Sequence, residues 1–198
     1  DARLLLERCL QLAPDFHLAR QNYAVVLLRQ QKLEEAYREV QKMLAREPNN
    51  PSFLILKGAV LVRRGDHEEA LEIYERILKN YPRQAVAQMN YGHTLKSVGR
   101  LEESIAAYRK CIELSPGIGE AYWSLANLKT YRFAPAEIES MRTQLARSDL
   151  GAEDRLHFHF ALGKAMEDTG DHAAAFANYA EGNRLRRATL AYDADETT

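Results

Sequence analysis

The chain contains 198 residues, of which 46% are hydrophobic, and its 27 basic and 28 acidic side chains leave a formal charge of −1. A chain of this length buries enough surface to fold without disulfides or a bound metal. The balanced charge excludes the basic excess typical of non-specific nucleic-acid binding, and no apolar run approaches the ~20 residues that span a bilayer.

The prolines reveal an internal repeat. Four of them are equally spaced along the chain: Pro14, Pro48, Pro82 and Pro116. The glycines keep the same interval, as in Gly65 and Gly99. A fixed period of this length predicts a solenoid of stacked helix pairs.

In chain order, the period predicts one partial repeat and five further repeats. Residues 1–16 hold only the second helix of a partial first repeat, residues 17–50, 51–84 and 85–118 are complete repeats, residues 119–155 are a divergent repeat with an insertion, residues 156–190 are a last repeat, and residues 191–198 are a tail or a linker to a missing downstream domain. We also expect missing sequence upstream, because a partial repeat leaves its apolar side uncovered.

Each complete repeat predicts two helices. In the second complete repeat, apolar residues three and four apart predict a first helix over Pro51–Arg64, which Gly65 ends in a left-handed conformation. Asp66 and Glu69 have the spacing of a capping box, which predicts the start of the second helix, and Pro82 follows its end.

The divergent repeat lacks this Gly-Asp turn. The segment Tyr131-Arg-Phe-Ala-Pro135 stands in its place, so a second helix is predicted to begin at Pro135 and to bury Ile138, Met141 and Leu145.

Small residues recur at two fixed places, where they let paired helices approach closely. In first helices these are Ala24, Gly58, Gly92, Ala126 and Gly163, and in second helices they are Ala2, Ala36, Ala70, Ser104 and Ala175.

This pattern resembles the tetratricopeptide repeat, whose signature carries Leu-Gly, a later Tyr, then Ala, an aromatic residue and Pro. Tyr91-Gly92, Leu95, Ser104, Tyr108 and Pro116 match it, as do Leu162-Gly163, Met166, Ala175 and Tyr179. The resemblance implies an all-α fold, a right-handed superhelical solenoid of antiparallel helix pairs.

No catalytic, cofactor-binding or metal-binding residue is predicted. Cys9 and Cys111 lie three repeats apart, too far for a disulfide, and are expected to be small buried apolar residues. His157 and His159 point to different helix faces, and Gly117-Ile-Gly119 has neither the strand nor the Lys-Ser of a phosphate-binding loop.

The better candidate for a site is a concave groove lined by the first helices. Its inward positions hold amide, methionine, aromatic and cationic side chains, which suit an extended peptide or a helix. The candidate residues are Gln21, Asn22, Met89, Asn90, His93, Trp123, Asn127, Phe160 and Lys164. For Trp123, packing between neighbouring repeats is the open alternative.

A narrower resemblance covers the C-terminal part of the chain, from Asn127 onward. Residues 127–133, 159–168 and 179–187, with Tyr192-Asp, look like the last repeats of bacterial proteins that join tetratricopeptide repeats to a sulfotransferase domain. The resemblance implies a bacterial, cytoplasmic protein whose catalytic domain lies downstream and binds the activated sulfate donor PAPS. The only Pro-Arg pair here, Pro82-Arg83, lacks the rest of the donor-binding loop.

Two function classes follow. The first is a non-catalytic scaffold that binds a protein or peptide in its groove, with no nucleic-acid or membrane partner. The alternative is the N-terminal region of a sulfotransferase, which would dock the acceptor substrate or order the catalytic domain. Self-association through the partial first repeat is a further possibility, because Leu4, Leu5, Leu6 and Leu10 would lack a covering helix.

Overall fold

A computed structural model describes residues 2–189 of the chain. Within that range there are eleven α-helices and no strand, so the predicted all-α class is confirmed. The helices are α1 (Ala2–Leu12), α2 (His17–Arg29), α3 (Leu33–Arg46), α4 (Pro51–Arg64), α5 (His67–Asn80), α6 (Ala85–Ser97), α7 (Leu101–Leu114), α8 (Gly119–Ala126), α9 (Pro135–Leu145), α10 (Ala152–Asp168) and α11 (His172–Thr189). The predicted tail, residues 191–198, lies outside the described residues.

The chain divides into two compact units, Asp1–Ala107 and Tyr108–Thr198. From α1 to α6 of the first unit, each helix packs against the next, and α4 also contacts α2 and α6. In the second unit, α10 packs against α8, α9 and α11.

The core of the first unit consists of apolar layers shared between neighbouring helix pairs. One layer joins α2, α3 and α4 through Leu27, Met43 and Phe53. The next joins α4, α5 and α6 and contains Tyr74 and Ile77, which are almost fully buried. Each interface is local in sequence, as expected of a repeat array.

Helix α4 has the bounds that the sequence predicts. Its N-cap residue, Asn50, accepts hydrogen bonds from the backbone N–H groups of Ser52 and Phe53 at 3.0 and 3.4 Å. Gly65 ends the helix with φ +91°, a left-handed conformation that costs glycine little.

The predicted capping box at the start of α5 is wrong. Asp66 is the N-cap residue, but its side chain caps no backbone N–H group. Basic residues of α4 engage the two carboxylates instead: Arg64 lies 3.1 Å from Asp66, and the ammonium group of Lys57 donates to Glu69 at 2.8 Å.

The small residues allow the close helix contacts that the sequence predicts. A Cβ atom on Gly58 would lie 2.6 Å from the Tyr74 ring, and one on Gly163 would lie 2.5 Å from the Tyr179 ring. The other small residues of these two places are buried as well, except Ala2, which is exposed.

Helix α9 begins at Pro135 and buries Ile138 and Met141, as predicted. Leu145 is only half-buried, because the last turn of α9 runs out of the core. The guanidinium group of Arg155, on α10, donates to the backbone carbonyl groups of Leu145 and Arg147 at 2.8 Å each. This side chain satisfies carbonyl groups that the helix end leaves without partners.

Candidate functional site

The predicted groove residues lie on first helices of both units. Five of them belong to the first unit: Gln21 and Asn22 on α2, and Met89, Asn90 and His93 on α6. Gln21 and Met89 occupy one repeat position, as do Asn22 and Asn90. Asn22 is exposed and the other four are half-buried, so these positions present mainly amide groups and one methionine.

The other four candidates lie in the second unit and form what we call the α8–α10 face: Trp123, Asn127, Phe160 and Lys164. Trp123 lies on α8, and Asn127, four residues later, is the C-cap residue of that helix, while Phe160 and Lys164 are four apart on α10. Residues four apart share one side of a helix. Because α8 packs against α10, two aromatic and two polar side chains lie on neighbouring helices.

Trp123 packs against a neighbouring helix, which is the alternative role that the sequence left open, while its role in a groove stays a prediction. Its ring stacks on that of His157, on α10, with centroids 5.3 Å apart and an angle of 26° between the planes. The residue is nevertheless 37% exposed, which is high for a tryptophan. The stack therefore holds the indole ring in place while part of it stays exposed to solvent.

The His157 ring forms the buried side of the stack with Trp123. It is buried, its Nδ1 atom has no hydrogen-bond partner, and its Nε2 atom lies 3.7 Å from Glu153. Burial lowers the pKa of His157, although the carboxylates of Glu120, Glu153 and Asp154 act in the opposite direction. The ring is therefore neutral at pH 7.

Phe160 is half-buried against α11. Its ring centroid lies 6.4 Å from that of Tyr179, and a Cβ atom on Gly182 would come within 3.2 Å of its ring. The glycine thus makes room for the phenylalanine, and the contact restricts the ring to one place. A rigid aromatic side chain loses little entropy when a ligand binds.

The polar end of the face is a charged cluster. Lys164 pairs with Asp168, four residues later on α10, and Arg132 lies 3.2 Å from the second carboxylate oxygen of Asp168. Two cations share one largely buried carboxylate, so the cluster carries a net charge of +1. Arg132 and Asp168 are not among the residues predicted from the sequence, although the i, i+4 spacing of Lys164 and Asp168 indicates their ion pair.

A cavity of about 640 Å³ lies at the turn end of the first unit, beside Arg38, Arg63 and Arg64. Arg64 lies 3.4 Å from Glu34, and its guanidinium carbon is 4.7 Å from the centroid of the Tyr37 ring. The remaining lining also mixes both signs of charge, so the cavity favours no one class of ligand.

The two cysteines and Gly119 take part in packing and hydrogen bonding within the fold. Cys111 is fully buried, which raises the pKa of its thiol to about 12, and Cys9 is half-buried. Gly119 donates its backbone N–H to Asp154 at 2.9 Å, at a close approach of α8 to the start of α10. Among residues 2–189, no three His, Cys, Asp or Glu side chains are grouped as metal ligands.

Pro82 and Arg83 do not form a site for a sulfate donor. Both are exposed in the turn between α5 and α6, with no strand before them. This turn therefore does not supply the donor-binding loop.

Two further observations concern surfaces. On α1, Leu4 and Leu5 are 55% and 73% exposed, whereas Leu6 and Leu10 are half-buried.

Across the described part of the chain, no helix has the length and apolar character needed to cross a membrane.

Comparison with known proteins identifies the repeat. Models of the tetratricopeptide repeat family match residues 1–60 and residues 51–117. An uncharacterized protein of Aquifex aeolicus is 24% identical over 161 residues, which are 81% of this chain and 21% of that protein. The chain thus spans about a fifth of the length of this relative.

Two solved structures share the fold. The thermophilic tetratricopeptide-repeat protein of Thermus thermophilus is 18% identical, with a TM-score of 0.59 over 91% of this chain and 88% of that one. Human IFIT1, as a dimer with m7Gppp-AAAA, is 18% identical, with a TM-score of 0.73 over 94% of this chain and 45% of that one. At these identities the likeness shows the fold alone, and it supports the predicted solenoid class.

Proposed function

We propose that this chain, whose residues 1–117 belong to the tetratricopeptide repeat family, is a non-catalytic scaffold that binds a peptide or protein segment on the α8–α10 face. Tetratricopeptide repeats mediate protein–protein interaction. The observation that carries the proposal is the partly exposed Trp123, held in place by its stack on His157 of α10, the helix that also carries Phe160.

The chemistry of the face favours a ligand with one apolar anchor and polar backbone groups. Trp123 and Phe160 offer contact area to an aliphatic or aromatic side chain, and aromatic residues are frequent hot spots of interfaces. The exposed amide of Asn127 can bond a peptide group, and the net positive cluster at Lys164 favours an acidic residue. No cofactor is part of this proposal.

Selection from a displayed library of tryptophan-free peptides tests it. Trp123→Ala and Phe160→Ala should each weaken the selected peptides about thirtyfold, as for a hot spot worth about 2 kcal/mol. Leu101→Ala, which removes an exposed apolar side chain from α7, is the matched control and should bind normally. Equal binding by all three variants would overturn the proposal.

We expect the candidate residues of the first unit to contribute less to peptide binding than those of the α8–α10 face. Gln21, Asn22, Asn90 and His93 are polar, and Met89 is half-buried, so this surface has no aromatic anchor. We expect Met89→Ala to weaken the selected peptides less than tenfold. If Met89→Ala lost more peptide affinity than Trp123→Ala, the main contact would lie in the first unit.

The alternative, a sulfotransferase-associated region, rests on the resemblance of residues 127–133, 159–168 and 179–187. In that case the α8–α10 face would contact the acceptor substrate or a catalytic domain, and PAPS would bind to that domain. A bacterial, cytoplasmic location is proposed on the same ground. Reading the parent gene beyond Thr198 decides it, because a frame without a phosphosulfate-binding loop would remove the alternative.

Self-association through α1 is also proposed, on the exposure of Leu4 and Leu5. Sedimentation velocity at high concentration tests it, and a monomer that persists there would contradict it. The absence of nucleic acid from the partners is proposed from the formal charge of −1.

A further inference from the structure

Helix α11 carries a second surface, which we call the Phe176 surface and which consists of Phe176, Ala180, Asn183, Arg184 and Arg187. Together with Tyr179, these residues line an open cavity of about 350 Å³. Phe176 is 75% exposed. Such a ring beside a cavity offers contact area to a partner, and aromatic residues are enriched at protein interfaces.

The repeat shows what covers this place elsewhere in the chain. Tyr74 packs on Gly58 as Tyr179 packs on Gly163, which aligns α5 with α11 and places Phe176 in register with Leu71. Leu71 is only 3% exposed, because side chains of α6 and α7 cover it. In that cluster, two α6 residues and the C-cap residue of α6 are spaced i, i+4 and i+7: Tyr91, Leu95 and Val98.

The same pair of helices gives the direction of the occupant. Helix α6 begins shortly after α5 ends, so the first part of α5 meets the last turns of α6. A helix placed on α11 in this way would bring its last turns to Phe176 and its first turn to Arg184 and Arg187.

The charge of Arg187 indicates which residues the first turn of the bound helix should carry. Arg184 pairs with Glu181 on its own helix at 2.7 Å, whereas Arg187 forms no ion pair within residues 2–189. Acidic residues are favoured in the first turn of a helix by its dipole, and here they would also meet Arg187.

We infer that the Phe176 surface binds an amphipathic helix of a partner protein. This helix runs antiparallel to α11, has Asp or Glu in its first turn, and carries apolar residues at i, i+4 and i+7 in its last turns. The exposed helix α1 of a second copy fits less well, because it has no acidic residue in its first turn. The helices α2, α4 and α6 also lack one.

Fluorescence anisotropy tests the inference with a labelled peptide of about 16 residues, which is long enough to form a helix. The probe has Glu at its second and third positions and Tyr, Leu and Val with the spacing of Tyr91, Leu95 and Val98. Phe176→Ala should weaken its binding at least tenfold, and Arg187→Glu should weaken it severalfold. Replacing the two Glu residues of the probe by Lys should restore binding to the Arg187→Glu variant.

Arg76→Glu, on the exposed side of α5, is the matched control and should leave binding unchanged. Circular dichroism checks that the Phe176→Ala variant is folded. We expect it to fold, because the Phe176 side chain is exposed and contributes little to the core. The inference is overturned if the probe does not bind, if Phe176→Ala binds it normally, or if Phe176→Ala instead abolishes a dimer of the chain. Because Trp123 is not part of this surface, Trp123→Ala should bind the probe normally, so the outcome is independent of the proposed function.

Discussion

Gln31 occupies a turn in which the chain elsewhere uses glycine. Its φ angle is +60°, and the corresponding residues of other repeats are Gly65 and Gly99, with φ of +91° and +82°. An L-residue in this conformation loses about 1 kcal/mol through contact of its Cβ atom with the backbone. The repeat interval could have identified Gln31, but only as the member of the series that is not glycine.

Gln31→Gly should therefore raise the free energy of unfolding by about 1 kcal/mol, because it removes this strain. Gly99→Gln is the reverse change in the next repeat but one and should lower stability by a similar amount. Urea unfolding followed by circular dichroism measures both. A destabilised Gln31→Gly variant would show that the glutamine makes a contact worth more than the strain.

His157 gives the Trp123 stack a dependence on pH. Burial lowers its pKa, against the opposing effect of the carboxylates of Glu120, Glu153 and Asp154 and with a small contribution from the charge of Arg186. A base whose pKa falls on folding stabilises the fold above its unfolded value of 6.5. That contribution is lost as the pH falls through the folded pKa.

Because Trp123 is the only tryptophan of the chain, its fluorescence reports this titration directly. We expect a change in emission with a midpoint below pH 6.5, which His157→Gln should remove. His159→Gln should keep it, since His159 bonds Asn178 at 3.1 Å and does not touch the tryptophan. A transition that survives in His157→Gln would refute the assignment.

Two of the helix pairs contain a close contact between a glycine of the first helix and a tyrosine of the second. A Cβ atom on Gly58 would collide with the ring of Tyr74, which is 1% exposed and has no room to move. Gly58→Ala should therefore lower the free energy of unfolding by about 1 to 3 kcal/mol, the usual cost of overpacking.

Gly151→Ala is the matched control. Gly151 has φ −61°, and an added Cβ atom would come no closer than 3.7 Å to the nearest side chain. Its stability should be unchanged or slightly higher, because alanine restricts the unfolded chain. Chemical denaturation of both variants compares them, and equal stabilities would argue against tight packing at Gly58.

The elements that could be predicted are those set by spacing within one helix pair. Pro51 and Gly65 fix the bounds of α4, and Pro135 fixes the start of α9, because proline and glycine act on their own backbone. The capping box at Asp66 is absent, and Arg64 and Lys57 pair with the two carboxylates instead. The pair of Lys57 with Glu69 joins two helices, and such a contact leaves no trace in sequence spacing.

The same limit applies to the candidate site. Trp123, Phe160 and Lys164 could be found as equivalent positions of the repeat, which is a property of spacing. The support of Trp123 by His157 and the link from Asp168 to Arg132 depend on how α8, α10 and the preceding loop pack. The exposure of Phe176 could not be predicted, because it depends on which helices pack against α11 in the folded chain.

For the whole molecule, several tyrosine hydroxyl groups link elements through glutamates. Tyr23 donates to Glu7 at 2.8 Å and Tyr91 to Glu75 at 3.0 Å, the same connection in two repeats. Burial, and then the hydrogen bond to the glutamate, raise the pKa of each tyrosine from 10.0 to about 12.

An acid whose pKa rises on folding stabilises the fold below its unfolded value. The chain should therefore keep its thermal midpoint up to about pH 10 and lose stability steadily from pH 10 to pH 12. Circular dichroism melts across this range test the prediction. Tyr23→Phe combined with Tyr91→Phe should flatten the loss, and an unchanged slope in that variant would contradict the explanation.

Acrylamide quenching of the single tryptophan measures whether a ligand covers Trp123 on the α8–α10 face. With a selected tryptophan-free peptide at saturation, we expect quenching to fall clearly below that of the free chain, because 37% of Trp123 is exposed before binding. Saturated binding with unchanged quenching would show that the peptide binds elsewhere.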